Sequence, residues 1–159
     1  MKKYDEANPL NDVAAFHETF EMPIVEDPSI PSKERCALRI SLLQEELNEL
    51  KEAIENDDLV ECADAFADIQ YVLSGAILEF GLASKFKALF DEVQRSNMSK
   101  TCKSREVAIK TQEHYKATKE VDSIIEEKNG EYLVFRVPDR KVLKSVNYSP
   151  ADIAGKLED

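Results

Sequence analysis

With 159 residues the chain is long enough for one compact domain and a small appendage, and at 43% hydrophobic and 33% charged it is globular rather than disordered. A net charge of −11 excludes a protein whose whole surface grips nucleic acid, although bound cations can still bring a small anionic substrate to an acidic site. Only 4 Gly and 6 Pro leave little material for loops and favour long helices.

In chain order, residues 1–10 read as a loose lead-in. Asp12 is placed to cap a short helix over Val13 to Phe20, with Val13, Phe16 and Phe20 as its apolar stripe. Pro23, Pro28 and Pro31 punctuate a connecting loop. Ser32 opens the strongest helix, whose apolar positions Leu38, Leu42, Leu43, Leu47, Leu50 and Ile54 follow the helical period. Asn56, Asp57 and Asp58 supply a turn and a cap for a second long helix, from Leu59 to about Phe80, with Gly81 as its terminator. That helix is apolar nearly all round, which calls for cover from a second copy of the chain in a dimer or tetramer. A fourth helix follows from Ser84 to about Met98, and a polar fifth from Ser104 to about Lys119. From Val121 the texture changes: two β-prone runs flank Asn129-Gly130, a hairpin signature, with a short third strand at Val142 and Leu143. The expected fold is therefore all-α, a bundle of four to five helices over 1–120, with a β-hairpin tail over 121–159 belonging to the same domain.

Cys36, Cys62 and Cys102 are odd in number and lack CxxC or Cys/His spacing, which excludes a disulfide framework or zinc site. Cys36 and Cys62 read as small core residues. No apolar signal core precedes the first helix and no stretch approaches a membrane span, so a cytoplasmic protein with no membrane partner is expected.

The chemistry concentrates in two acidic pairs, Glu46 with Glu49 and Glu61 with Asp64, each spaced i, i+3 so that a helix puts both carboxylates on one face. The eleven residues between them, Leu50 to Val60, suffice to turn one helix back on the other. One such pair alone is more often a solvated face. Two features weigh against that for the constellation: Glu61, Asp64 and Asp68 lie in the most apolar helix, and the pairs flank a turn that lets them meet. Four converging carboxylates need positive charge, and oxygen-only ligands favour Mg²⁺ or Mn²⁺. A carboxylate-bridged di-iron site requires Glu-x-x-His pairs, which neither His17 nor His114 completes, and no Walker loop is present.

The segments Glu45-Glu46-Leu-Asn-Glu49 and Glu61-Cys-Ala-Asp64-Ala-Phe-Ala-Asp68, followed by Ser96-Asn97-Met98-Ser99-Lys100, resemble the signature of the all-α NTP pyrophosphatases, a superfamily that includes MazG-like proteins and phosphoribosyl-ATP pyrophosphohydrolases. The resemblance covers Arg35 to Lys100 well and the tail more loosely. It implies that Glu46, Glu49, Glu61 and Asp64 bind Mg²⁺. It also implies that Glu45 orients or deprotonates the attacking water and that Asn97 and Lys100 contact the substrate. Asp68 reads as a further ligand or supporting group, or equally as a buried carboxylate bonded to a neighbouring helix. Lys141, Lys144 and Tyr148 are placed to close over a nucleotide or simply to face solvent.

The activity implied is hydrolysis of a nucleoside triphosphate between its α and β phosphates, giving a monophosphate and pyrophosphate. Two alternatives stand beside it: hydrolysis of phosphoribosyl-ATP, and a non-catalytic helical oligomer holding a structural ion.

Overall fold

The backbone of each early helix ends in the same way, with a residue in the left-handed region that lets the chain fold back onto the last turn. In the computed structural model, which describes residues 3–158, α1 (Pro9–Thr19), α2 (Lys33–Glu55) and α3 (Leu59–Glu79) are followed by Glu21, Asp57 and Gly81 at φ values of 53°, 55° and 67°. In each case the next amide reaches back to a carbonyl in the last turn: Met22 N–H to His17 O, Asp58 N–H to Ala53 O, Leu82 N–H to Ile77 O. This is the Schellman arrangement. Gly81 is required twice over, since a Cβ there would lie 2.0 Å from the carbonyl oxygen of Asp27, besides the positive φ.

Helix starts follow the side-chain caps. Ser32 Oγ accepts from the Arg35 amide, and Asp58 Oδ1 accepts from the amides of Val60 and Glu61 at 3.0 and 3.1 Å. The first helix corrects the sequence reading. It begins at Pro9, a residue suited to the first helical position, so Asp12 sits in its first turn instead of capping it.

The chain divides into two compact units, the first ending at Phe86 and the second beginning at Lys87. In the first unit α2 packs on α3 and α1 packs on α3. Its buried apolar residues are few: Val13, Ala53, Ala65, Ile77 and Leu78. Beside them lies a polar centre. Glu79 is buried and accepts hydrogen bonds from Arg39 Nη2 at 2.5 Å and from Arg35 through both Nε and Nη2. His17 joins it from α1: its Nδ1–H donates to the Pro23 carbonyl at 2.8 Å and its Nε2 accepts from Arg39 Nη2 at 3.2 Å. A carbonyl only accepts and a guanidinium only donates, so these partners fix the Nδ1–H tautomer.

The second unit takes in the remainder of α4 (Ala83–Met98), α5 (Arg105–Lys119), the antiparallel pair β1 (Ser123–Lys128) and β2 (Glu131–Arg136), and α6 (Ile153–Glu158). Asn129 and Gly130, both at positive φ, make the two-residue turn of the hairpin. Cys102, Ala108, Val134 and Leu143 form its core, against which Val107, Tyr115, Val121, Ile125 and Tyr132 pack. The expected third strand is a single bridge, Phe135 to Val142. The short α6 was not anticipated; Asp152 caps it through Oδ1 to the Gly155 amide at 3.0 Å. The architecture is all-α with a small C-terminal hairpin, as the sequence implied.

Cys102 is buried, whereas Cys36 and Cys62 are only half-buried. Among the described residues no single helix is long and apolar enough to cross a membrane.

Candidate functional site

The turn at Asn56–Asp58 decides which acidic residues of α2 and α3 face each other. Asp58 caps α3 through the amide of Glu61 itself, which fixes where the second acidic pair begins. From there the antiparallel packing brings α3 carboxylates against α2. Glu46 is the focus. Burial pushes its pKa up, and the neighbouring charges of Glu49, Asp68, Glu45 and Asp64 push it further in the same direction. Its Oε2 is buried and has no hydrogen-bond partner. A carboxylate oxygen enclosed in this way, with negative groups on both helices around it, favours a cation there.

Glu61 stands apart from that group. It lines a groove of about 440 Å³ at the turn end, with Glu49, Glu52, Asn56 and Asp58. Glu49 belongs to both surroundings, so the acidic surface runs from Asp68 through Glu46 and Glu49 to Glu61. Glu45, Glu49, Glu61 and Asp64 are exposed, and Glu46 and Asp68 are half-buried. Among the described residues no three His, Cys, Asp or Glu side chains come close enough as they stand to hold a metal ion. The sequence argument that acids in the most apolar helix are costly therefore applies to Asp68 and not to Glu61 or Asp64. The fully buried acid of α3 is Glu79, and it is held by two arginines.

The second unit carries the other two expected site residues. Asn97 and Lys100 bracket the end of α4, and Lys100 Nζ donates to Asn97 Oδ1 at 2.7 Å. The intervening segment is a tied-down helix terminus, with the Ser99 amide on the carbonyls of Arg95 and Ser96 and its hydroxyl donating to Ser96 O. Tyr148 reaches the same helix, its phenolic oxygen accepting from Ser96 Oγ at 3.0 Å.

Arg95, on which the sequence offered no purchase, clamps the C-terminal segment. It donates to both oxygens of Glu92, to Ser149 Oγ at 3.0 Å and to the Pro150 carbonyl at 2.9 Å. Ser149 and Pro150 lie more than fifty residues on, which no local pattern announces. His17 is structural, and His114 is exposed with its ring edge-on to Tyr115.

The acidic residues on the antiparallel pair α2 and α3 are those that the resemblance to the all-α NTP pyrophosphatases, or MazG-like proteins, picks out. The model of the phosphoribosyl-ATP pyrophosphohydrolase family matches residues 13–97, more than half of the chain, and the chain belongs to that family. The family consists of pyrophosphohydrolases, hydrolases of phosphoanhydride bonds. The matched span includes every acidic residue of α2 and α3 and Asn97, and stops before Lys100 and the hairpin. An uncharacterized protein of Acanthamoeba polyphaga mimivirus is 35% identical over 75 residues, covering 44% of this chain and 30% of the viral protein. The match thus spans less than a third of that relative's length.

Proposed function

We propose that this chain is a divalent-metal-dependent pyrophosphohydrolase that cleaves nucleoside triphosphates between the α and β phosphates. The observation that carries this reading is the buried, unpartnered Oε2 of Glu46 among carboxylates from two helices. The donor set is all oxygen, which fits Mg²⁺ or Mn²⁺ and no softer metal. Glu46, Glu49, Glu61 and Asp64 would hold the ion; three of the four are exposed and free to change rotamer toward it. When bound, the ion neutralises phosphate charge and lowers the pKa of water.

The chain's own groups supply the rest. Glu45, exposed beside the acidic face, takes the proton of the attacking water. The water oxygen bonds to the α phosphorus and the bridging oxygen departs with pyrophosphate. Asn97 and Lys100, hydrogen-bonded to each other in the second unit, are the substrate contacts that the resemblance implies.

Self-association completes the proposal. Ile40, Leu47, Ile54, Leu59, Val60 and Phe66 are all exposed on α2 and α3, an apolar surface that a second copy of the chain would cover.

Product analysis tests the reaction. Incubation with a panel of NTPs and dNTPs plus Mg²⁺ should give monophosphate and pyrophosphate, abolished by EDTA. Diphosphate and orthophosphate would place the cleavage elsewhere. The family match favours one second reading, phosphoribosyl-ATP as substrate; turnover of that compound with none across the NTP panel would establish it.

A further inference from the structure

The second unit contains a concentration of positive charge that runs against the chain's net charge of −11. Lys100, Lys119, Arg136, Lys141 and Lys144 line one groove of about 300 Å³, with Tyr115 as its flat wall. No carboxylate contributes to the lining. Several basic residues of this unit are matched to an acid: Lys103 to Glu131, Lys110 to Glu106, Lys116 to Asp122 and Arg140 to Glu126. The lysines of the groove are not. Among the described residues, Lys100, Lys119, Lys141 and Lys144 have no carboxylate within ion-pair distance. Their recorded partners are neutral: Asn97 Oδ1 for Lys100, the Tyr115 ring for Lys119 and the Tyr148 ring for Lys144. Arg136 is the exception, held in a fork by Asp139.

The groove is also built rather than loosely assembled. The Arg136 amide donates to Lys141 O at 2.9 Å and the Leu143 amide to Val134 O at 2.8 Å, which fixes the lysine-bearing segment beside β2. The Lys144 amide donates to the hydroxyl of Tyr115 at 3.2 Å, tying that segment to α5. Four cations held close together without counter-charge repel one another, and a multiply charged anion relieves that repulsion. Lysine ammonium groups suit phosphate oxygens as point-charge donors.

We propose that this groove is an oligophosphate-binding site, taking inorganic pyrophosphate, tripolyphosphate or the phosphate chain of a nucleotide. The inference rests on the second unit alone and stands whether or not the acidic face of α2 and α3 is catalytic. Binding of tripolyphosphate to the full chain is measured by calorimetry at low ionic strength in EDTA, so that no metal bridges the anion to the carboxylates. Binding should be saturable, weaken as salt rises, and fall about tenfold or more in the K141A/K144A double variant. Both positions are exposed, so the variant should keep its circular dichroism spectrum and Tm. No binding by the native chain, or equal binding by a folded double variant, overturns the site. Competition between tripolyphosphate and a turned-over nucleotide, with a raised KM in the variant, assigns the groove to the substrate's own phosphates. Binding that leaves KM untouched assigns it to a separate anion. A single-stranded RNA oligomer that binds while tripolyphosphate does not would replace the proposal with a nucleic-acid surface.

Discussion

Arg39 and Glu79 form an ion pair in which the side chains are only 5% and 1% exposed. The pair joins α2 to the end of α3 and, through His17, both to α1. Arg35 and Arg39 hold the Glu79 carboxyl below its ordinary range, although burial alone would raise it. Removing one partner leaves the other charge buried, so Glu79→Gln or Arg39→Met should destabilise the fold by about 3–5 kcal/mol. Urea denaturation checks this, and a loss below 1 kcal/mol would show that water replaces the missing partner.

Gly75 reports on the same network from α3. A Cβ there would lie 2.7 Å from Arg39 Nη1 and 3.0 Å from His17 Nε2. Helix propensity favours alanine over glycine by about 1 kcal/mol. Here the arginine has no room to give, so Gly75→Ala should instead lower stability by about 1–3 kcal/mol. A rise in Tm would mean that the arginine relocates freely.

Glu92 gives the fold a defined acid limit. Its hydrogen bonds from Arg95, then from the Asp152 amide, lower its pKa from 4.5 to about 2. A depressed carboxylate pKa contributes stability above the unfolded value, and that contribution disappears as pH falls through the folded one. Between pH 4.5 and about 2 the Glu92→Gln variant should therefore lose less stability than the native chain. Parallel pH profiles of the two proteins would remove Glu92 from the explanation.

Glu46 separates stability from activity. Neutralising it as Glu46→Gln removes a buried charge from among Glu49, Asp68, Glu45 and Asp64, so the metal-free protein should melt at a higher temperature. On the proposed metal site, Mg²⁺ should raise the Tm of the native chain, and the same change should abolish that rise and lower pyrophosphohydrolase turnover about 10²-fold. Wild-type turnover in the variant would take Glu46 out of the site.

The apolar surface of α2 and α3 predicts the state of association. Phe66→Asp places a charge on it, and light scattering after gel filtration should show the variant smaller than the native chain. A monomeric native chain would leave that surface without the proposed cover.

By itself the sequence determined the elements and the chemistry that travel along one helix. Ser32, Asp58 and Gly81 marked helix ends because capping is a local event between residues a few positions apart. Glu46 with Glu49, and Glu61 with Asp64, were legible for the same reason: the helical repeat puts i and i+3 on one face. The start of α1 was misplaced because Asp12 and Pro9 offer competing local signals and the proline prevailed. What only the tertiary structure decided was environment. The buried acid of α3 is Glu79 and not Glu61, because arginines forty residues and more away reach it. The groove lysines come from three separate places in the chain, and only the packing of α5 against the hairpin and the segment after it draws them together. Burial and field depend on three-dimensional distance, which a one-dimensional pattern records only when the partners share a helix.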